Sequence, residues 1–441
     1  MKDRSKKIVI RKKQNKNIET LPVKKIAIFK AINKKFGTPL YVYFEDELVN
    51  KLELFKSIPV PYGLIVRYAI KANSTAAILK LFNKNGSHFD ASTFNECIRI
   101  IKGAGIDGEK IRLTSQEVLS EEKFKFIKKN GILYTACSLL QLETYGKKIP
   151  NTEVGIRFNI GIGSGHFPHL STGGKNSSFG IYKQRKEIDS ILKKYNLILK
   201  VVHLHIGSGS DPEKQKQAII EGLKIVKDYP SVDTINMGGG FKVAIMRYDK
   251  TTDVRVMGLE MKKAIVKFEK DTGRRIKLEV EPGKALVANA GYILTEIVDK
   301  VSTGSAGQEF LKVNGGMNMN ARIPMHGAQH PFVIIPRNPK KDTEKYVVSG
   351  ICCENGDVLT IRRGDSTVIE ARNMVSAEVG ELFVIGGTGG YCSSMASLNY
   401  NSQQIHPEIL VRKNGELDLI RTRQPIEDIW KYERIPEDLK V

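Results

Sequence analysis

A chain of 441 residues, 41 % hydrophobic and 27 % charged, is long enough for two domains of a soluble globular protein, and no stretch nears the roughly 18 apolar residues of a membrane span. Its 70 Lys and Arg exceed its 48 Asp and Glu by +22, but the cations are scattered among glutamates without a basic aromatic stripe, so a lysine-rich solvated surface is expected and a nucleic-acid partner is not. Five cysteines, odd in number and without a CxxC pair, point to neither a disulfide framework nor a zinc site, and the basic start MKDRSKKIVIRKKQNKN lacks the apolar core of a secretory signal, which makes the cytoplasm the expected compartment.

The first 16 residues are the only locally dense run of charge and read as a solvated arm or edge strand. The N-terminal piece, with KKIVI (6–10) inside that run and LYVYF (40–44) beyond it, could join either domain. From about residue 62 a rhythm sets in. Strand-like runs GLIVRYAI (63–70), SHFDA (87–91), KIRLT (110–114), ILYTAC (132–137), EVGIRFNI (153–160), KVVHLHI (200–206), DTINM (233–237) and KLEVE (277–281) alternate with amphipathic pieces such as TAAILKLFNKNG and KQKQAIIEGLKIVKDY. Eight such units predict an α/β fold with a closed parallel (β/α)8 barrel of the TIM type over 45–290, with an open doubly wound sheet as the alternative. The loop GIGSGHFPHLSTGGKNSSFG (161–180) is long enough to be suspected of function. After about residue 290 the pattern turns to strands: GYILTEIVD, FLKVNGG, PFVIIPR, KYVVSGICC, DVLTIRR and ELFVIGG, then a hairpin signal at Asn414 and Gly415 between EILVRK and ELDLIR. Residues 291–441, with 1–44, form the expected second, mostly β domain.

In a barrel of this kind, chemistry gathers at the carboxyl ends of the strands. Lys71 closes the first, Asp90 the second, Arg157 and Asn159 the fifth, His203 and His205 the sixth, Gly238, Gly239 and Gly240 follow the seventh, and Glu281 ends the eighth. A lysine partly desolvated there can present a free amine to an aldehyde. Bare glycines let backbone N–H groups approach a phosphate. A buried carboxylate can keep a ring nitrogen protonated. That set asks for pyridoxal 5'-phosphate, with Lys71 as its Schiff-base lysine. The plainer readings are that Asp90 caps the helix starting near Thr93, that Arg322 is a surface arginine, and that Cys352 and Cys353 are neighbours on a strand, one of them buried and inert. The two histidines of HLH could face one metal, but no third ligand sits at a fitting spacing.

The motifs YAIKAN (68–73), FDASTFNE (89–96), HLHIGSGS (203–210), NMGGGF (236–241), EVEPGK (279–284), GMNMNARIPMHGAQH (316–330), CENGD (353–357) and GGYCSSMASLNYN (389–401), in collinear order from about residue 38 to 411, resemble the barrel-type pyridoxal-phosphate decarboxylases, in particular the diaminopimelate decarboxylases. The resemblance implies that Lys71 carries the cofactor, that His205 stacks on its ring and that Glu281 holds its pyridine nitrogen. Ser208, Gly240, Gly283 and Lys284 of the EPGK turn, and Tyr391 would bind or line the phosphate, with Asp90, Arg157, Gly238 and Gly239 completing the cofactor-binding set. Cys353, reaching in from a second subunit, would return a proton to the substrate, while Glu354 and Arg322 would hold its far amino-acid end, near His326 and Tyr391. The implied enzyme is a homodimer with shared active sites that decarboxylates meso-2,6-diaminopimelate to L-lysine. Departures fall around the substrate. Lys284 replaces a usual Arg, exchanging a two-pronged donor for a point charge; His326 replaces a Tyr, Ser178 a Lys and Asn314 an Asp, and Leu398 looks inserted. They leave open a related diamino acid as substrate, such as a siderophore or polyamine precursor. A cofactor-binding homologue without decarboxylase activity would be expected to lack Lys71 or Cys353.

Overall fold

The computed structural model describes residues 18–163, 172–209 and 211–440. The basic arm, the KKIVI piece and the middle of the 161–180 loop lie outside them. The chain divides into two units: one takes the chain up to Asp46, Ile245–Arg247 and everything from Ala288, the other Glu47–Ala244 and Tyr248–Val287. Within the first, VKKIAIFKAINKKF forms a helix, Val23–Phe36, that buries Phe29 and Ile32, and LYVYF forms β1 (Leu40–Phe44), buried along its whole length.

All eight strand-like runs of the second unit are strands: β2 (Leu64–Ala69), β3 (His88–Ala91), β4 (Ile111–Leu113), β5 (Leu133–Ala136), β6 (Glu153–Asn159), β8 (Ile198–His203), β9 (Thr234–Asn236) and β10 (Lys277–Val280), with the two-residue β7 (Ile181–Tyr182) beside β6. Every pairing is parallel. Because β5 pairs with β6 and β10 with β2, the ring closes, and the open doubly wound alternative falls away. Side-chain caps start several crossover helices where the sequence supplies short polar residues: Thr93 accepts from the Glu96 amide, Ser120 from Lys123, Ser138 from Gln141 and Asp211 from Glu213. The barrel interior is not wholly apolar. Glu279 is buried there between two buried guanidiniums, those of Arg67 and Arg112.

The first unit continues with β11 (Gly291–Ser302), β12 (Glu309–Val313), β13 (Phe332–Ile335), β14 (Thr343–Ser349), β15 (Ile361–Arg362), β16 (Asp365–Ile369), β17 (Arg372–Val375), β18 (Leu382–Gly386), β19 (Glu408–Val411) and β20 (Leu417–Arg421). The main sheet runs β17-β14-β12-β11-β1-β19-β20, with β18 also on β11 and β13 on β18. LYVYF, which the sequence could assign to either domain, is thus an inner strand of this sheet, antiparallel to β11 and parallel to β19. Phe29 and Ile32 of the first helix pack with Leu40, Val42, Phe44, Leu294, Val384 and Ile409 into its core. The Asn414–Gly415 turn joins β19 to β20 as expected, with Gly415 at φ +90°.

Candidate active site

Lys71 lies in a single 3-10 turn, Ile70–Ala72, immediately after β2 rather than on the strand. Its Nζ is 3.2 Å from Ser92 Oγ and 3.7 Å from Asp90 Oδ2. The side chain is 50 % exposed, so the desolvation expected of it is not found within this unit; the buried partner is Asp90. Thr93, not Asp90, caps the following helix, which leaves the Asp90 carboxylate to the barrel mouth. There Asp90 Oδ1 is buried without a hydrogen-bond partner. Burial raises its pKa and the nearby Glu281 raises it further, with Lys71 opposing both.

Glu281 follows β10 and is buried. Its Oε1 accepts a 2.7 Å hydrogen bond from Asn236 Nδ2, and its Oε2 lies 3.3 Å from His203 Nε2, near enough for an ion pair but not aligned for a hydrogen bond. Burial alone would raise the Glu281 carboxyl, but the imidazoles of His203 and His205 and the ammonium of Lys71 outweigh it, and the net direction is down. Burial lowers both histidines as well, and Asn236 adds its hydrogen bond to the Glu281 carboxylate. His205 Nδ1 accepts from the Gly239 amide at 2.9 Å, which assigns the ring proton to Nε2.

The glycine turn packs against this group as bare backbone. Gly238 has φ +65°, and a Cβ there would stand 2.5 Å from His205 Nδ1 and 2.6 Å from Leu204 O. On Gly239 it would stand 2.5 Å from Glu281 O. Gly240 is also left-handed, at φ +92°. Gly283 sits close to Ala69, and Lys284 opens the one-turn helix Lys284–Val287. Ser208 lies in the turn after His205. Arg157, buried on β6, sets its guanidinium 4.9 Å from the Phe179 ring and leaves Nη2 without a partner. Unpartnered buried atoms of Asp90, Arg157 and His203, an amine, an ionised carboxylate and a glycine cradle that a Cβ would fill therefore meet at the carboxyl end of the barrel. These groups fit pyridoxal phosphate. Asn236 is the residue that the strand-end reading passed over. Its position, last on β9 and one residue short of the glycines, was the available signal.

The other unit gathers a second set. Cys353 is exposed, on a turn after β14 and not on the strand, and its amide donates to Asn401 Oδ1 at 2.7 Å. Beside it Glu354 accepts from Tyr400 Oη at 3.2 Å and from the Gly356 amide at 3.0 Å. Cys352 is the buried neighbour: burial pushes its thiol up to about 11, and its amide binds Asp357 Oδ2 at 2.9 Å. Arg322, half-buried, begins the short helix Arg322–His326 and lays its guanidinium 5.4 Å from the ring centre of Tyr391, whose backbone is left-handed at φ +59°. Within this unit Cys353 and Glu354 are thus neighbours, as are Arg322 and Tyr391.

Residues 46–288 match the family described as pyridoxal-dependent decarboxylase, pyridoxal binding domain. The chain is similar to the diaminopimelate decarboxylase of Buchnera aphidicola subsp. Acyrthosiphon pisum, with 32 % identity over 92 % of this chain and 96 % of that protein. To the diaminopimelate decarboxylase of Escherichia coli K12 the identity is 30 % over 90 % and 94 %. A crystal structure of diaminopimelate decarboxylase superposes with a TM-score of 0.82 at 30 % identity, covering 91 % of this chain and 94 % of that one. One from M. jannaschii in complex with L-lysine superposes with a TM-score of 0.83 at 25 % identity, covering 94 % and 95 %. The strand-end set therefore stands inside a known framework, and the chain belongs to the pyridoxal-dependent decarboxylases, in the diaminopimelate decarboxylase family.

Proposed function

We propose that this chain is a pyridoxal-phosphate-dependent decarboxylase that converts meso-2,6-diaminopimelate to L-lysine and carbon dioxide. The observation that carries the reading is the meeting of Lys71, Asp90, Glu281 and the Gly238–Gly240 turn at one end of one barrel. Bound there, pyridoxal phosphate supplies the electron sink that lets the bond from Cα to the carboxylate break.

Everything else falls to the chain's own side chains. Lys71 Nζ would hold the cofactor at its aldehyde carbon. Glu281, its carboxyl held below the usual range, would maintain a proton on the ring nitrogen, and His205 would cover one ring face. Gly240, with Ser208, Gly283, Lys284 and Tyr391, would bind the phosphate or line its site, and Gly238 and Gly239, whose amides are held by Asn236 and His205, would complete the pocket with Arg157 and Asp90. Cys353 Sγ returns one proton to Cα, replacing the carboxylate that leaves as carbon dioxide. Glu354, Arg322 and His326 hold the distal amine and carboxylate.

The reading takes residues 45–290 as the cofactor-binding barrel and 291–441 with 1–44 as the β-domain that completes the site. It makes the protein a homodimer in which each Cys353 serves the partner's site, which its exposure on a turn supports. It places the protein in the cytoplasm, in keeping with five cysteines that form no disulfide among the described residues. Among the described residues no helix is long and apolar enough to cross a membrane.

The test is carbon dioxide release by purified protein with added pyridoxal phosphate, offered meso-diaminopimelate, L-lysine, L-ornithine and L-arginine in parallel, with Lys71→Ala as control. Release from diaminopimelate that vanishes in the control is expected. Release from ornithine or arginine with none from diaminopimelate would sink the substrate assignment and point to Lys284 and His326 as its cause.

A further inference from the structure

We propose that Asn236 is a positioning residue that sets Glu281 and the glycine turn together, so that one buried amide holds the ring-nitrogen end and the phosphate end of the cofactor site in register. The inference rests on the pyridoxal phosphate reading above. Asn236 is fully buried. Its Nδ2 donates to Glu281 Oε1 at 2.7 Å and to Glu279 Oε2 at 3.1 Å, and its Oδ1 accepts from the Gly238 amide at 2.8 Å. Register puts Asn236 opposite Glu279 on the neighbouring strand. Glu279 is itself fixed by Arg67 Nη2 at 2.7 Å and Arg112 Nε at 2.9 Å. Asn236 is therefore tied on one side to an immobile ionic post and on the other to the two groups that must keep their spacing.

The residue type follows from that task. Aspartate could accept from Gly238 but has no proton to donate, and would set a third carboxylate against two others. Serine can accept from the Gly238 amide in a local turn but is too short to reach Glu281. Gln215 Nε2 approaches the carbonyl of Gly239 only at 3.4 Å and cannot substitute.

The experiment uses the holoenzyme loaded with pyridoxal phosphate labelled with 15N in its ring, reading the ring-nitrogen NMR signal and the cofactor dissociation constant. Asn236→Ala is expected to move the signal toward the unprotonated position and to weaken cofactor binding by about tenfold, the loss of a charge-assisted hydrogen bond. Asn236→Ser, the milder change should the alanine variant not fold, is expected to move the signal while binding stays within about threefold. Gln215→Ala is expected to leave the signal in place. Glu281→Gln separates the two layers of the argument. If it moves the signal and both Asn236 variants keep that of the parent, the positioning role is overturned. If Glu281→Gln leaves the signal unmoved, the ring-nitrogen assignment beneath it is overturned.

Discussion

Arg67 Nη2 stands 2.7 Å from Glu279 Oε1, with both side chains almost wholly out of water. Arg112 reaches the same carboxylate through Nε at 2.9 Å and Nη2 at 3.1 Å. Burial on its own would raise the Glu279 carboxyl, yet the guanidiniums of Arg112 and Arg67 hold it down at about 2. A buried ion cluster of this kind adds little over a well-packed apolar core, but removing one member strands the others. Glu279→Gln is therefore expected to cost about 3–5 kcal/mol in urea unfolding. A loss below about 1 kcal/mol would mean that water reaches the guanidiniums.

Acid should destabilise the protein in two overlapping stages. His406, buried in the β unit, has its pKa lowered from 6.5 to about 4 by burial and then by Arg423, so its folded form stays neutral where the unfolded chain takes up a proton. Its contribution is whole above pH 6.5 and is lost as pH falls through 4. Glu279, depressed from 4.5 to about 2, contributes fully above pH 4.5 and loses that contribution as pH falls through 2, in all about 3 kcal/mol. Asp90, raised by burial, works in the opposite sense. The urea midpoint should hold level from pH 8 to 6.5 and then decline, with the lower part of the decline flattened in Glu279→Gln. A midpoint that rises between pH 6 and 4 would show Asp90 dominating.

Two glycines make a matched pair of substitutions. A methyl on Gly239 would meet Glu281 O at 2.5 Å, whereas on Gly273, at the end of the helix Val254–Thr272, it would meet nothing within 4 Å. Gly239→Ala is expected to weaken pyridoxal phosphate binding by at least about tenfold, since the backbone must shift where the cofactor would sit. Gly273→Ala, strained only by its φ of +72°, should cost about 1 kcal/mol of stability and leave cofactor affinity unchanged. Equal cofactor affinities in the two variants would contradict the role given to the turn.

The proposed sharing of sites between two subunits has an arithmetic consequence. Lys71→Ala and Cys353→Ala homodimers should each be nearly inactive, while co-expression should recover about a quarter of parental activity, because half the dimers are mixed and each mixed dimer rebuilds one of its two sites. Separate purification followed by mixing under exchange conditions checks it. No recovery, from dimers shown to exchange, would place Cys353 in its own subunit's site.

The parts of the fold that were legible owe this to local chemistry. Buried parallel strands are continuous apolar runs, and GLIVRYAI or EVGIRFNI can be little else between amphipathic helices. Asn414–Gly415 carries its turn in its own backbone preferences. Other elements take their meaning from partners far along the chain. RNMV forms β17 only by pairing with β14, and the lysines of VKKIAIFKAINKKF dilute the apolar stripe that buries Phe29 and Ile32. At the site, Lys71, Glu281 and the glycines were readable because their types are unusual at strand ends. Asn236 was not, since its task arises from register with Glu279, while for Asp90 the strand-end reading stands and the plainer one, a helix cap, gives way to Thr93.

The placement of β1 between β11 and β19 has a consequence for the newborn chain. Tyr41 must wait for Glu408 to be made before the parallel side of its strand can be bonded. At roughly 5–20 residues per second, the last residue of the barrel unit leaves the ribosome some 6–25 s earlier, so the barrel can close while one of the first strands synthesised still shows an open edge. A premature stop between the two would thus do its damage at the opposite end of the polypeptide, leaving β1 as the sticky margin of an unfinished sheet.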